Sequence, residues 1–118
     1  EIVTAAVLPA DLPAHQEFAK IGPRNAMVIS VVSAVVMRWD DGTTRVALGS
    51  VAPTPLRARQ AEEMISVEAN PSDAALAEFA RMVAAEVRPI SDHRATAEYR
   101  RHAAGVLARR LLERCLAA

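Results

Sequence analysis

The spacing of apolar and polar positions changes about halfway along the chain. In the first half the apolar residues come in short β-branched runs or alternate with polar ones, as strands require; in the second half they recur every three or four residues, as on a helix face. Glu1–Leu8 alternates weakly, is rich in Ile and Val and stops at Pro9, which predicts a strand. Pro9, Asp11, Leu12 and Pro13 then form a rigid link, because each proline fixes φ and removes a backbone donor. Phe18–Ile21 predicts a short strand running into a turn at Gly22-Pro23. Val28–Trp39 is dense in β-branched residues, and Asp40-Asp41-Gly42 is a turn signal before Thr44–Val51, so the two read as a hairpin of long strands.

Pro53-Thr54-Pro55 ends the strands and puts Thr54 where it can cap a helix over Leu56–Ile65. Asn70-Pro71-Ser72 breaks the chain and caps a helix over Asp73–Val87, in which Leu76, Phe79, Ala80 and Val83 recur at helical spacing. Pro89 and Ser91-Asp92 break it again. Thr96 caps a last helix running to about Cys115, with Tyr99, Ala103, Leu107 and Leu111 as its stripe. Strands first and helices after predict an α+β fold: a small three-stranded, mainly antiparallel sheet with three helices packed on one face.

Bulk numbers narrow this further. The 118 residues are one domain by length, and 52% apolar with 24% charged residues is the composition of a globular chain rather than a disordered one. Phe18, Trp39, Phe79 and Tyr99 are all the aromatics, so aliphatic residues must fill the core. The formal net charge is zero but uneven: residues 1–80 carry ten acids against six bases, and residues 81–118 carry eight arginines against four acids. Such asymmetry predicts a C-terminal helix that pairs with acidic surface elsewhere in the fold or on a neighbour. Cys115, the single cysteine, rules out an internal disulfide and a cysteine-held zinc or iron–sulfur site, and reads as a packing residue in a reducing, cytoplasmic setting. No apolar run is long enough to cross a membrane. A chain that opens at Glu1 without a methionine, directly in a strand pattern, reads as taken from something longer.

Candidate chemistry is sparse. His15, His93 and His102 lie far apart, without a neighbouring carboxylate in ligand spacing, so they read as surface or hydrogen-bonded histidines. Arg100-Arg101 and Arg109-Arg110 are diluted by Glu98 and Glu113, and no aromatics are arranged for base stacking, which argues against nucleic acid. Gly22-Pro23-Arg24 offers too few free N–H groups for a phosphate nest, and Ser30 and Ser33 have no adjacent base. Asp92, followed by Arg94 and Arg100, is an ion-pair arrangement at the start of the last helix, with Asp92 pinning the loop and its guanidinium partner.

Three stretches carry a resemblance. Phe18-Ala19-Lys20-Ile21-Gly22-Pro23-Arg24-Asn25-Ala26-Met27 resembles a K-x-G-x-R-x-A-M segment, and Ala47–Ala58 resembles "aLGgVaPtPlRa", with Ala61-Glu62 following. Ile90–Arg101 resembles "iSDxRgSaeYRr", continued by Val106-Leu107 and Arg109-Arg110. The family with these segments in this order is the FAD-binding medium subunit of the molybdenum hydroxylases, the xanthine and aerobic carbon monoxide dehydrogenases, at its C-terminal domain. Val28 stands where many relatives carry Asp, Ala95 replaces the common Gly, Thr96 stands for Ser, and Ser66–Asp73 departs from the usual Gly-containing link and is a candidate for local disorder.

The resemblance implies that residues 1–12 are the terminal strand and linker of a preceding FAD-binding domain and that 13–118 are the C-terminal domain. It implies FAD held mainly upstream, with a molybdenum cofactor on a large subunit and two [2Fe–2S] clusters on a small one as partners. Ile2 and Val3 become candidates for contact with the isoalloxazine, and Lys20 and Arg24 for cations near the flavin edge. Asp92, Arg94, Thr96, Tyr99 and Arg100 become structural residues. No catalytic residue is implied, and the isolated chain is expected to be inactive. The competing reading is a free-standing interaction or dimerisation module without a redox role.

Overall fold

Along the second strand every other side chain is buried, and that alternation sets the layering of the molecule. The computed structural model describes residues 1–13, 15–25 and 28–118; Ala26 and Met27, which end the first family-like segment, lie outside the described residues. The strands are β1 (His15–Ile21), β2 (Val32–Arg38), β3 (Thr44–Gly49) and β4 (Leu56–Arg57), and the helices are α1 (Arg59–Ser66), α2 (Asp73–Glu86) and α3 (Ala97–Ala117). The sheet runs β1-β2-β3-β4, antiparallel throughout, with Phe18 opposite Val35, Val35 opposite Ala47 and Ala47 opposite Arg57. Val32, Ala34 and Val36 of β2 and Val46 and Leu48 of β3 point into the core. There they meet Ala61 and Ile65 of α1, Phe79 and Val83 of α2, and Ala104, Ala108, Leu111 and Leu112 of α3. Burying a side chain of that size is worth about 1.5–3 kcal/mol against leaving it exposed.

The α+β order predicted from the sequence holds, but the sheet has four strands rather than three. Leu56-Arg57, expected to open a helix at Thr54, instead pairs with Leu48 and Ala47. Thr54 caps no helix, since the chain bends through 51–54 and Leu56-Arg57 takes the free edge of β3 before α1 begins. α1 therefore begins at Arg59, and its N-cap Ala58 has no capping side chain. Glu86, at the far end of α2, takes that role by accepting from the N–H groups of Gln60 (3.3 Å) and Ala61 (2.9 Å). Glu62, nearly buried, accepts from Val46 N–H at 2.8 Å and from Arg57, which closes the part of the β3 edge that β4 is too short to cover.

Other boundaries shift for similar reasons. β1 starts at His15, three residues before the expected Phe18, because β2 supplies a partner along its whole length. β2 starts at Val32 rather than Val28. Glu1–Leu8 is no strand in this chain: it finds no ladder partner among the described residues, and a strand is defined by one. Ser66–Asp73 is pinned rather than loose, since buried Arg38 donates to the carbonyls of Glu68 (2.6 Å) and Ala69 (3.3 Å), and also to Gly42 O and Thr44 Oγ1.

All three helices lie on the one side of the sheet, in two tiers. α3 crosses β1 and β2, α1 lies against β3, and α2 packs on both helices. The approach of α3 to α2 is close enough to need a glycine. A Cβ at Gly105 would sit 2.5 Å from Ala80 O, a backbone atom that cannot step aside. Gly105→Ala would improve helix propensity by about 1 kcal/mol but incur overpacking of about 1–3 kcal/mol. The expected outcome is a net loss of stability and a thermal midpoint lower by several degrees; a midpoint equal to or above the parent would show that the two helices can part without cost.

Candidate functional site

At one end of the sheet β1 turns towards β2 and β3 turns towards β4, and the loop entering α3 closes over both. A single guanidinium ties these three connections together. Arg100, 4% exposed, donates from Nη1 to Val31 O (2.7 Å) and Ser50 O (3.0 Å), and from Nη2 to Asp92 Oδ1 (2.8 Å). Its Nε has no partner, the one such buried side-chain atom among the described residues. Asp92 Oδ1 also accepts from the N–H groups of Arg94 (2.9 Å) and Ala95 (3.1 Å), so one carboxylate oxygen organises the turn and orients the arginine. The Arg100 guanidinium first, then the Arg94 N–H, hold the Asp92 carboxyl well below the usual carboxylate range.

Two hydroxyls finish the α3 N-terminus. Thr96 Oγ1 accepts from Tyr99 N–H at 3.1 Å, and Ser91 Oγ accepts from Ala97 N–H at 2.8 Å. The Ser91 contact is invisible in the sequence because it spans a loop. Tyr99, placed on the buried stripe by its spacing, is instead 49% exposed, and Arg100 takes the inward position. The rest of the expected stripe holds, since Ala103, Leu107 and Leu111 are buried, and Arg100, Ala104, Ala108, Leu112 and Cys115 widen it. A tyrosine could not have made three bonds to two carbonyls and a carboxylate at this point.

Ser50 carries the local strain. Its φ of +64° is the only positive value at a non-glycine among the described residues, and it aims the Ser50 carbonyl at Arg100. Ser50 occupies the second glycine position of "aLGgVaPtPlRa", so the left-handed backbone explains why glycine suits that position.

Around this clamp lie two adjoining grooves that share Ile29 and Arg94. The larger, of about 620 Å³, has Val28, Ile29 and Val31 as an apolar floor and Arg24, His93 and Arg94 at its rim. The smaller, of about 400 Å³, runs past Ser30, Ser50 and Asp92 to Arg100. Arg24 and Arg94 are seventy positions apart in sequence, and only the fold brings them to one rim. Lys20, on β1, donates to Val28 O at 3.1 Å and so braces the same loop without lining either groove. Ile2 and Val3 are 85% and 87% exposed and line neither groove. An apolar floor with cations at the rim suits the edge of a planar, negatively charged ring. It does not suit a pyrophosphate, which needs converging backbone N–H groups.

Elsewhere the chemistry is structural. Burial, then Glu17, raises the Cys115 thiol above its usual range, and its Sγ contacts Val36 O at 3.7 Å, which leaves it a packing group. No cluster of three or more His, Cys, Asp or Glu side chains could hold a metal ion among the described residues. No helix among them is long and apolar enough to cross a membrane.

A two-tiered α+β domain with an arginine clamp at one sheet end defines a class that sequence and structure comparisons identify. Residues 17–115 match the CO dehydrogenase flavoprotein C-terminal domain, and the chain belongs to that family. It is 32% identical over 121 residues to the carbon monoxide dehydrogenase medium chain of Afipia carboxidovorans, an alignment covering 99% of this chain and 42% of that one. A solved carbon monoxide dehydrogenase from Hydrogenophaga pseudoflava superposes with a TM-score of 0.73 at 30% identity, over 88% of this chain and 38% of that one. Quinoline 2-oxidoreductase from Pseudomonas putida 86 shares the fold, with a TM-score of 0.76 at 23% identity over 90% of this chain and 39% of its own. The chain thus spans about two fifths of the length of these relatives.

Two outcomes follow from the clamp. Asp92 has a depressed folded-state pKa, so its contribution to stability is fully present above the ordinary value of 3.8 and is lost as pH falls towards the folded value. Asp92→Asn should therefore be less stable than the parent at pH 6, with the gap closing as denaturation is repeated towards pH 2; a constant gap would mean that the charge contributes nothing. Ser50→Gly, which relieves a left-handed serine, should raise stability by about 0.5–1 kcal/mol in the same denaturation series, and a loss would show that the hydroxyl matters more than the backbone.

Proposed function

We propose that this chain is the C-terminal domain of the FAD-binding medium subunit of a molybdenum hydroxylase. It buttresses the flavin site while electrons pass from molybdenum and [2Fe–2S] centres on partner subunits to FAD and on to an acceptor. Residues 1–12 are the terminal strand and linker of the preceding FAD-binding domain, and 13–118 form the domain itself. The observation that carries this reading is the family match over 17–115 in a chain spanning two fifths of a medium chain. The exposed, ladderless 1–12 segment supports it, because alternating apolar residues with no partner here suit a strand of another sheet.

FAD supplies the redox chemistry, and this chain supplies charge and shape around one end of it. Arg24 at the groove rim and Lys20 beside it set a positive potential where negative charge develops on reduction. The Arg100–Asp92 clamp keeps that rim from moving. Ile2 and Val3 give aliphatic contact to the ring face once the upstream strand is in place.

Two measurements test the reading. After FAD addition and desalting, the chain extended upstream to its native start should show a flavin spectrum, and residues 1–118 alone should not; no flavin in either would overturn the assignment. In that extended protein, Lys20→Gln with Arg24→Gln should make the flavin harder to reduce. A charge at close range in high dielectric is worth about 1 kcal/mol. For a two-electron couple that is a lowering of about 20 mV for each charge removed. An unchanged potential would remove both residues from the flavin edge.

A further inference from the structure

The face of the sheet turned away from the helices is uncovered, and it is not an ordinary solvated face. Strand pairing puts Gln16, Phe18 and Lys20 of β1, Ser33, Val35 and Met37 of β2, and Arg45, Ala47 and Gly49 of β3 on it. Phe18 is 63% exposed at its edge. Trp39 lies beneath Arg45, whose guanidinium carbon is 5.0 Å from the ring centroid. Of the four aromatics in the chain, Phe79 alone is buried in the core, while Phe18 is exposed on this side and Trp39 meets Arg45 at its hairpin end. Aromatics, Met and Arg are the residue types that protein interfaces concentrate, and Lys20 and Arg45 give the face a positive charge with no carboxylate among its side chains.

The chain's own connection says what can reach this face. Only residues 9–14 separate Leu8 from His15, a span of at most about 25 Å, and Pro9 and Pro13 stiffen it. α3 already occupies the inner side of β1 and β2. A body that ends at Leu8 must therefore sit beside β1, against its free edge and the open face, at a high effective concentration. More than half the length of the matched relatives lies outside the part aligned with this chain, so such a body is large enough to cover the face.

We infer that the open face of the sheet, anchored by Phe18 with Met37 and Trp39, is the surface on which the upstream flavin-binding portion of the subunit docks, through a patch carrying acidic side chains opposite Lys20 and Arg45. This rests on the domain reading given above and adds the surface and its anchor. Phe18 is the anchor because it is the large apolar side chain exposed on the face and stands on the strand that the tether enters.

The test is hydroxyl-radical footprinting of the complete subunit, read by mass spectrometry at Phe18, Met37 and Trp39. Docking requires Phe18 to be oxidised at least about fivefold more slowly in the native subunit than in urea, since an interface centre excludes water. Phe18→Asp should raise oxidation of Met37 and Trp39 in the native subunit. Oxidation of Phe18 within about twofold of the urea rate would overturn the inference, because a side chain 63% exposed here would then have stayed so. Protection that fades on dilution would also overturn it and give the face to a second copy. Flavin absorbance of the same sample keeps the two readings apart. Bound flavin with a reactive Phe18 defeats the docking surface alone, and absent flavin defeats the domain reading whatever the footprint shows.

Discussion

A buried guanidinium has to satisfy its donors inside the protein, and that requirement at Arg100 organises one whole end of the molecule. Its partners come from three separate connections: Val31 before β2, Ser50 after β3 and Asp92 before α3. Each connection has a few hydrogen bonds of its own, such as Val31 N–H to Ile21 O and Asp92 N–H to Ala95 O, but Arg100 is the side chain that joins all three. Removing the guanidinium would leave the Val31 and Ser50 carbonyls without that donor and take from Asp92 its charged partner, although Asp92 Oδ1 would keep the N–H groups of Arg94 and Ala95. The strained φ at Ser50 is tolerated because the carbonyl it aims is used. The grooves, their rim and the start of α3 all inherit their shape from this one side chain.

Arg38 does for the opposite end of the sheet what Arg100 does here, by local means. It joins the β2–β3 hairpin to the α1–α2 link through Gly42, Thr44, Glu68 and Ala69. The sheet is thus held at both ends by arginines on its helical side, and apolar contact fills the middle. The charge imbalance of the sequence is partly absorbed in the same architecture. Arg109 lies 3.8 Å from Asp73 on α2, and Arg114 lies 3.8 Å from Glu17 on β1. Exposed pairs of that length contribute little to stability, so their effect is to even out the surface potential rather than to hold α3 in place.

The sequence was most legible where local periodicity and caps agree. The hairpin of β2 and β3, the Ser72-capped α2 and the Thr96-capped α3 all follow from neighbours within a few residues. It was least legible where the deciding partner is remote. Leu56-Arg57 reads as helix until the free edge of β3 is known to lie beside it, and the capping carboxylate of α1 comes from Glu86, at the far end of the next helix. Glu1–Leu8 has the pattern of a strand and no partner among the described residues, since alternation describes a residue's two faces and says nothing of what lies beside the backbone. At the site, the segment Ser91–Arg100 announced a paired acid and base, but the meeting of Arg24 with Arg94 and the turning of Tyr99 outward depend on the tertiary fold.

The two faces of the sheet divide the chain's limited aromatic content in an informative way. Aliphatic packing with one phenylalanine closes the helical side, where small residues such as Ala104, Ala108 and Gly105 allow the helices to approach closely. Phe18 and Trp39 are left outside the core, where their contacts within the chain are limited to neighbours such as Val35 and Arg45. An exposed aromatic is compatible with solubility when isolated among polar groups, as Phe18 is between Gln16 and Lys20 on its own face. Its retention at the strand edge nearest the tether is then a matter of what the strand faces, not of how the domain folds. Folding in this domain is thus carried by the arginine-clamped helical side, while the open side is free to specialise for contact, and the groove sits where the two sides meet.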